Sequence, residues 1–367
     1  MTAATPGPSA QRTGKGRPSP WRLAARALLL LVGAVTLYGL LPQLLAVFDQ
    51  VPELTEIRWW WFIVMVALEA ASLACLWLLI RVALPGVSWF LASTAQLASN
   101  AVSKFVPAGA AMGTALDFRM LSVAGVPAGT AATALTATGF LSAWVLFALP
   151  FVALLASLIG SPVPRGMAHV AWGGATVFVF MFVAGLVVTR STRPLRRVAN
   201  VVERSSRWVL ARFHRESGLT ADGIVAQRDQ MVGALGARWS QALAATIGNW
   251  LFEYLALVAA LLAVGSRPRL SLVLLAFAVS AVLTMVPITP GGLGFVEAGL
   301  TAMLTLAGVG AQDALLATLA YRVVSYWLPL PAGVVAYLAF RHRYGRPPPA
   351  EDDAVAETAD GTARPDG

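Results

Sequence analysis

The sequence predicts an all-α polytopic membrane protein, with about six full spans plus two broken re-entrant helical hairpins in an inverted repeat. Composition, the length of the apolar runs, and two Pro/Gly breaks inside hydrophobic segments predict it. Of 367 residues, 57% are hydrophobic and 12% charged, and the mean hydropathy is +0.70. A soluble domain carries about a quarter charged residues, so an aqueous globule is excluded. Runs of about 20 apolar residues cross a bilayer, and six segments reach that length: 24–48, 59–81, 128–160, 168–189, 240–264 and 313–340. Two further apolar regions, 89–124 and 270–310, are each interrupted near the middle.

From the N-terminus, residues 1–23 are rich in Pro, Gly, Ser and basic side chains and are expected to be a disordered cytoplasmic arm. The apolar run after Arg26 is too long for the core of a signal peptide, so 24–48 is expected as an uncleaved first span. Trp59, Trp60 and Trp61 open the second span as an interfacial aromatic belt. Residues 190–239 hold ten arginines and four acids and are expected to be the main cytoplasmic linker. Val198, Val201, Val202, Trp208, Val209 and Phe213 are interleaved there, a pattern suited to an amphipathic helix on an anionic lipid surface. Residues 341–367 are expected to be a disordered cytoplasmic tail.

Basic residues fix the orientation. Arg12, Lys15, Arg17, Arg22 and Arg26 precede the first span, and Arg341, Arg343 and Arg346 follow the last, so both termini are expected in the cytoplasm. Asp49, Glu53 and Glu56 face outward with a single Arg58. Parity then makes 89–124 a hairpin that starts and ends inside, and 270–310 one that starts and ends outside. Pro107 and Gly109 mark the tip of the first. Pro287, Pro290, Gly291, Gly292 and Gly294 mark the tip of the second. Proline removes a backbone donor and glycine permits tight geometry.

The two halves align at a shift of 183 residues: Pro107 meets Pro290, Gly109 meets Gly292, Gly125 meets Gly308, Ser142 meets Ser325 and Trp144 meets Trp327. Repeat one, about 59–160, and repeat two, about 240–340, would then enter from opposite sides, as in many transporters.

Charges inside apolar segments each need a partner or a watery site. Seven stand out: Glu69, Lys104, Asp117, Arg119, Glu253, Glu297 and Arg322. Glu297 falls in the first turn of the returning second hairpin, where a helix N-terminus favours an anion, and Arg322 in the last span is its expected partner. Lys104 sits near the first tip. Asp117 and Arg119 are two apart and do not share a helix face. Arg119 either snorkels to the interface or holds a headgroup phosphate, for which guanidinium geometry is suited. Glu69 and Glu253 occupy nearly equivalent places in the two repeats, as charge balance or proton carriers. His169, His214, His342 and Cys75 have no metal-ligand spacing, so no metal site is expected. No cofactor is expected, and the net charge of +9 lies in span-flanking loops rather than in a nucleic-acid face.

Pro287-Ile-Thr-Pro-Gly-Gly-Leu-Gly-Phe-Val-Glu297, followed by Tyr321-Arg322-Val-Val-Ser-Tyr-Trp-Leu-Pro-Leu-Pro-Ala-Gly333, resembles the lysylphosphatidylglycerol synthase transmembrane, flippase-like family. Pro107-Ala-Gly109 through Gly113 to Arg119-Met-Leu121 is similar to that family's first-half motif, except that Thr114 stands where the family usually carries glutamate. The resemblance implies a domain that moves anionic or modified phospholipids, or lipid-linked glycans, between leaflets, with Lys104, Arg119, Glu297 and Arg322 as substrate-binding residues. The 27 residues after 340 are too few for the aminoacyl-transferase domain of bifunctional relatives, so no catalytic residue and no enzyme activity are expected. Two other readings stay open: a glycosyltransferase using a polyprenyl-phosphate donor, and a non-transporting accessory protein of envelope synthesis. The expected partners are a membrane phospholipid or glycolipid and an anionic lipid surface, with a second copy or an envelope-synthesis protein as protein partner. The expected location is a bacterial inner membrane.

Overall fold

In the computed structural model, residues 59–106, 109–159, 165–190, 236–285 and 289–345 are described, all within one unit, Asp49–Gly367. Pro107, Pro287, the expected first span at 24–48, the N-terminal arm and nearly all of the linker and tail lie outside the described residues. Among those described there is no strand. Ten α-helices follow in order: α1 Trp60–Ala83, α2 Trp89–Phe105, α3 Gly109–Val123, α4 Ala128–Ile159, α5 Arg165–Arg190, α6 Trp239–Ala263, α7 Leu270–Leu283, α8 Phe295–Leu306, α9 Ala311–Arg322 and α10 Pro329–Tyr344. A π-helical turn, Val323–Trp327, joins α9 to α10 without a break.

By length and composition, four stretches among the described residues can cross a membrane: Trp60–Ala83, Ala128–Ala156, Trp239–Ala263 and Ala311–Tyr344. The chain is therefore a helical membrane protein. The segment expected to span at 168–189 is helical in α5, where the apolar stretch is the shorter Met167–Phe180. The two interrupted regions form short helices on either side of each Pro/Gly break, α2 with α3 and α7 with α8.

Local chemistry explains these boundaries. Ser88 caps α2, its hydroxyl accepting from Leu91 N at 3.2 Å. α3 ends at Gly125 (φ 92°) and α8 at Gly308 (φ 95°). In both, the glycine N–H bonds three residues back and the next N–H five residues back, the Schellman closure that a left-handed glycine allows.

α1 packs most extensively against α6, α2 against α10 and α3, and α4 against α5 and α7. One buried apolar cluster joins α1, α4, α6, α7, α8 and α9 around Met65, Leu257, Leu261, Phe277, Leu300 and Leu304. A second joins α2, α3 and the start of α4 to Phe340 of α10 around Leu91, Met120 and Leu121. Where backbones approach closely, the residue is small, as expected when lipid supplies no drive for helix association. A Cβ on Gly333 of α10 would collide with Ala101 Cβ and would sit 2.5 Å from the Leu97 carbonyl of α2. A Cβ on Gly113 would collide with the Ser103 hydroxyl.

Gly333 thus fixes the distance between α2 and α10. Gly333→Ala is expected to destabilise the protein in detergent by about 1–3 kcal/mol through overpacking. Gly129→Ala, in helix α4 with nothing within 4 Å of the added carbon, is expected to be neutral or stabilising. Thermal melting of the two variants checks the difference.

Candidate functional site

Proline lacks the N–H that would bond the carbonyl four residues back. Pro329 therefore leaves the Ser325 carbonyl without its helical donor. The backbone responds with a π turn in which Leu328 N bonds Val323 O at 3.1 Å. Ser325 O accepts instead from Lys104 Nζ at 2.6 Å. Lys104 lies in the last turn of α2, where the free carbonyls favour a cation. Its own carbonyl accepts from the Tyr326 phenol at 2.7 Å. Two reciprocal bonds thus join the end of α2 to the π turn, more than 220 residues away along the chain.

The break between α7 and α8 meets the same place. Gly291, Gly292 and Gly294 all have positive φ (61°, 72° and 78°), conformations that cost other residues energy. A side chain at 291 would also collide with the Tyr326 hydroxyl. The turn delivers Glu297 in the first turn of α8. Arg322 Nε donates to Glu297 Oε1 at 2.7 Å, and its Nη2 donates to Gly291 O at 3.3 Å. The guanidinium carbon stands 4.3 Å from the Tyr326 ring centre, and Lys104 Nζ stands 5.7 Å from it. Both cations thus approach the same Tyr326 ring. Arg322 is only 7% exposed.

Glu69 of α1 and Glu253 of α6 complete the cluster. Both interact electrostatically with Lys104 and with each other. The Tyr321 hydroxyl donates to Glu253 Oε2 at 3.1 Å. Beside this cluster, Asn249 of α6 donates to the Ser72 hydroxyl of α1 at 2.7 Å, tying the central helix pair together. Asp117 is buried away from the cluster and accepts from Gln96 Nε2 at 2.9 Å. Arg119, on another face of α3, is exposed and lies outside the network. Thr114 is exposed, bonds the Ala110 carbonyl at 2.9 Å, and lines a cavity of about 640 Å³ between α3 and α4. No group of acids, histidines or cysteines among the described residues could hold a metal.

The structure thus brings together Lys104, Glu297 and Arg322 with Glu69 and Glu253, and leaves Arg119 and Asp117 apart. Tyr326, Ser325 and Tyr321 are contacts that charge-based reading passes over. The available signal was Pro329, which identifies Ser325 as a carbonyl in need of a donor.

An apolar chain, helical throughout its regular described segments, with a hydrogen-bonded charge cluster where its two interrupted regions meet defines a class, the polytopic helical membrane protein. More particularly, the chain belongs to the family described as lysylphosphatidylglycerol synthase TM region, whose model matches residues 22–333. It is also similar to a UPF0104 membrane protein of Methanothermobacter thermautotrophicus, 30% identical over 95 residues. That match covers 26% of this chain and 27% of the relative. No solved structure matches the chain.

Removing one member of a buried ion pair strands the other and costs about 3–5 kcal/mol. Glu297→Ala and Arg322→Met are each expected to lower the unfolding free energy in detergent on that scale. The double variant should lose clearly less than the sum, and a double-mutant cycle measures the difference. Pro329→Ala should restore an N–H to Ser325 and free Lys104. Labelling by an amine-reactive reagent, read at Lys104 by mass spectrometry, should then rise.

Proposed function

We propose that this protein is a lipid translocase that moves an anionic or modified phospholipid, or a lipid-linked glycan, between leaflets. The observation that carries this reading is the pair of cations, Lys104 and Arg322, held against one aromatic ring, Tyr326, where α2 meets the Pro290–Gly292 turn. Charged groups among membrane helices are expensive and mark substrate pathways. Each cation has a partner it can exchange. Arg322 can leave its single bond to Glu297 for a headgroup phosphate, which its planar fork can hold with two parallel N–H donors. Lys104 can leave the Ser325 carbonyl, a neutral acceptor weaker than a phosphate oxygen. Acyl chains would stay in the hydrocarbon while the headgroup crosses. The cavity at Thr114, lined by alanines, Phe118 and Leu135, offers apolar passage beside the first break.

Alternating access would come from an inverted repeat of 59–160 and 240–340. In support, each half runs long helix, two short helices across a break, long helix. Gly125 and Gly308 close α3 and α8 with the same turn. Packing also corresponds, because α2 lies on α10 as α7 lies on α4, and the equivalent long helices α1 and α6 pack on each other. Exchange of partners at the central cluster would accompany the rocking of one half against the other.

Reconstituted into liposomes with labelled phospholipids, the protein is expected to speed leaflet exchange over empty vesicles. Lys104→Met should slow it about tenfold or more, equivalent to one lost interaction of about 1.4 kcal/mol in the transition state. Arg322→Ala should abolish it. Exchange no faster than in empty vesicles, for every lipid class tried, would contradict the proposal.

A further inference from the structure

The central cluster does not balance in charge. Glu69, Glu253 and Glu297 contribute three carboxylates, while Lys104 and Arg322 are the cations facing them among the described residues. Ionised in full, the group would hold one negative charge in excess within an apolar protein. Such a charge is costly unless neutralised. Arg322 donates its hydrogen bonds to Glu297 and Gly291 O and reaches Glu253 only through its field, so Lys104 is the cation shared by Glu69 and Glu253.

The excess is localised by a second observation. Glu69 is only 2% exposed, and its Oε2 is buried without any hydrogen-bond donor; Glu297 Oε2 lacks one too, but Glu297 holds the Arg322 guanidinium through Oε1. An ionised carboxylate can only accept, whereas a protonated one also donates. The groups around it are few. α2 presents Lys104, α6 presents Glu253, and α9 presents Tyr321, whose hydroxyl is already given to Glu253. The π turn presents Tyr326, bonded to the Lys104 carbonyl. α4, also packed on α1, has no titratable side chain between Ala128 and Ile159. On α1 itself the other charge, Arg81, is bonded to the Val87 carbonyl and stacked on Trp89.

We propose that Glu69 and Glu253, facing each other across the α1–α6 pair, form an exchangeable-proton site coupled to the headgroup cations through Lys104. The ligand is a single proton. It binds as an O–H bond to one carboxylate oxygen, with hydronium giving up that proton and becoming water, and no electron is transferred. When an anionic headgroup draws Lys104 toward itself, the two glutamates lose their counter-ion and take up the proton. When the headgroup leaves, Lys104 returns and the proton departs. Proton movement would then give lipid exchange a direction. This coupling role rests on the translocase reading, whereas the proton site itself does not.

The test uses the full chain in lipid nanodiscs. Infrared titration in H₂O and D₂O reads the carbonyl band of protonated carboxylic acids. The expected result is a band that titrates with pH and shifts in D₂O, and that is lost or displaced in both Glu69→Gln and Glu253→Gln. Glu297→Gln should keep a titrating band, with its midpoint moved to lower pH because Arg322 is freed. Acid-carbonyl bands identical in the parent and in both of these variants would overturn the proton site, whatever the transport result. In liposomes, an imposed pH gradient should accumulate labelled lipid in one leaflet with the parent protein, while Glu69→Gln should only equilibrate it. Exchange by the parent that ignores the gradient would overturn the coupling. A titrating band without any lipid exchange would support the proton site and count against the translocase reading instead.

Discussion

Pro329 takes one N–H out of the last helix, and much of the central arrangement follows from that missing donor. In water an open carbonyl would be solvated at little cost. Among membrane helices it must be satisfied from within the protein. Lys104 supplies the bond to Ser325, and in reaching it brings the end of α2 against the π turn. Tyr326 then returns a bond to the Lys104 carbonyl, and its ring is approached by both the ammonium and the Arg322 guanidinium. One backbone defect thereby organises two cations, an aromatic and three carboxylates drawn from five helices.

The same constraint accounts for the glycines on the facing side. Gly291 must be bare because the Tyr326 hydroxyl occupies the space its side chain would need. Its carbonyl, exposed by the break in helix, accepts from Arg322. Irregular backbone is tolerated because charged side chains satisfy it, and the charges are tolerated because irregular backbone and opposite charges satisfy them. Such mutual dependence makes the cluster cooperative, and a partner exchanged at one end is felt at the other. A site of that kind suits a protein whose ligand must be bound and then released.

How much of this could be read from the residues follows the range of the physics involved. The apolar helices were legible because hydrophobic runs of span length have few other readings. The Glu297–Arg322 pairing could be anticipated because buried opposite charges seek each other, whereas Gly125 and Gly308 stood in the sequence only as matching positions of the two halves. Other features depended on distances that no local pattern encodes. Arg119 and Lys104 look alike as cations beside the first break, yet one is exposed and the other crosses to the last helix. Tyr326 reads as an aromatic in a span until its hydroxyl is seen on the Lys104 carbonyl. The π turn was the subtlest, since two prolines at 329 and 331 suggest a kink without saying which side chain repairs it.

Lipid held by the central cluster is the claim on which the functional account stands, and lipid carried through purification reads it most directly. Native mass spectrometry of the detergent-purified protein should show one phospholipid or lipid-linked glycan class enriched well above its share of the source membrane. Glu297→Gln, which frees Arg322 from its internal partner, should change the amount of that class retained while leaving bulk lipids unaffected. Bound lipid that mirrors the bulk membrane in both proteins would contradict the account.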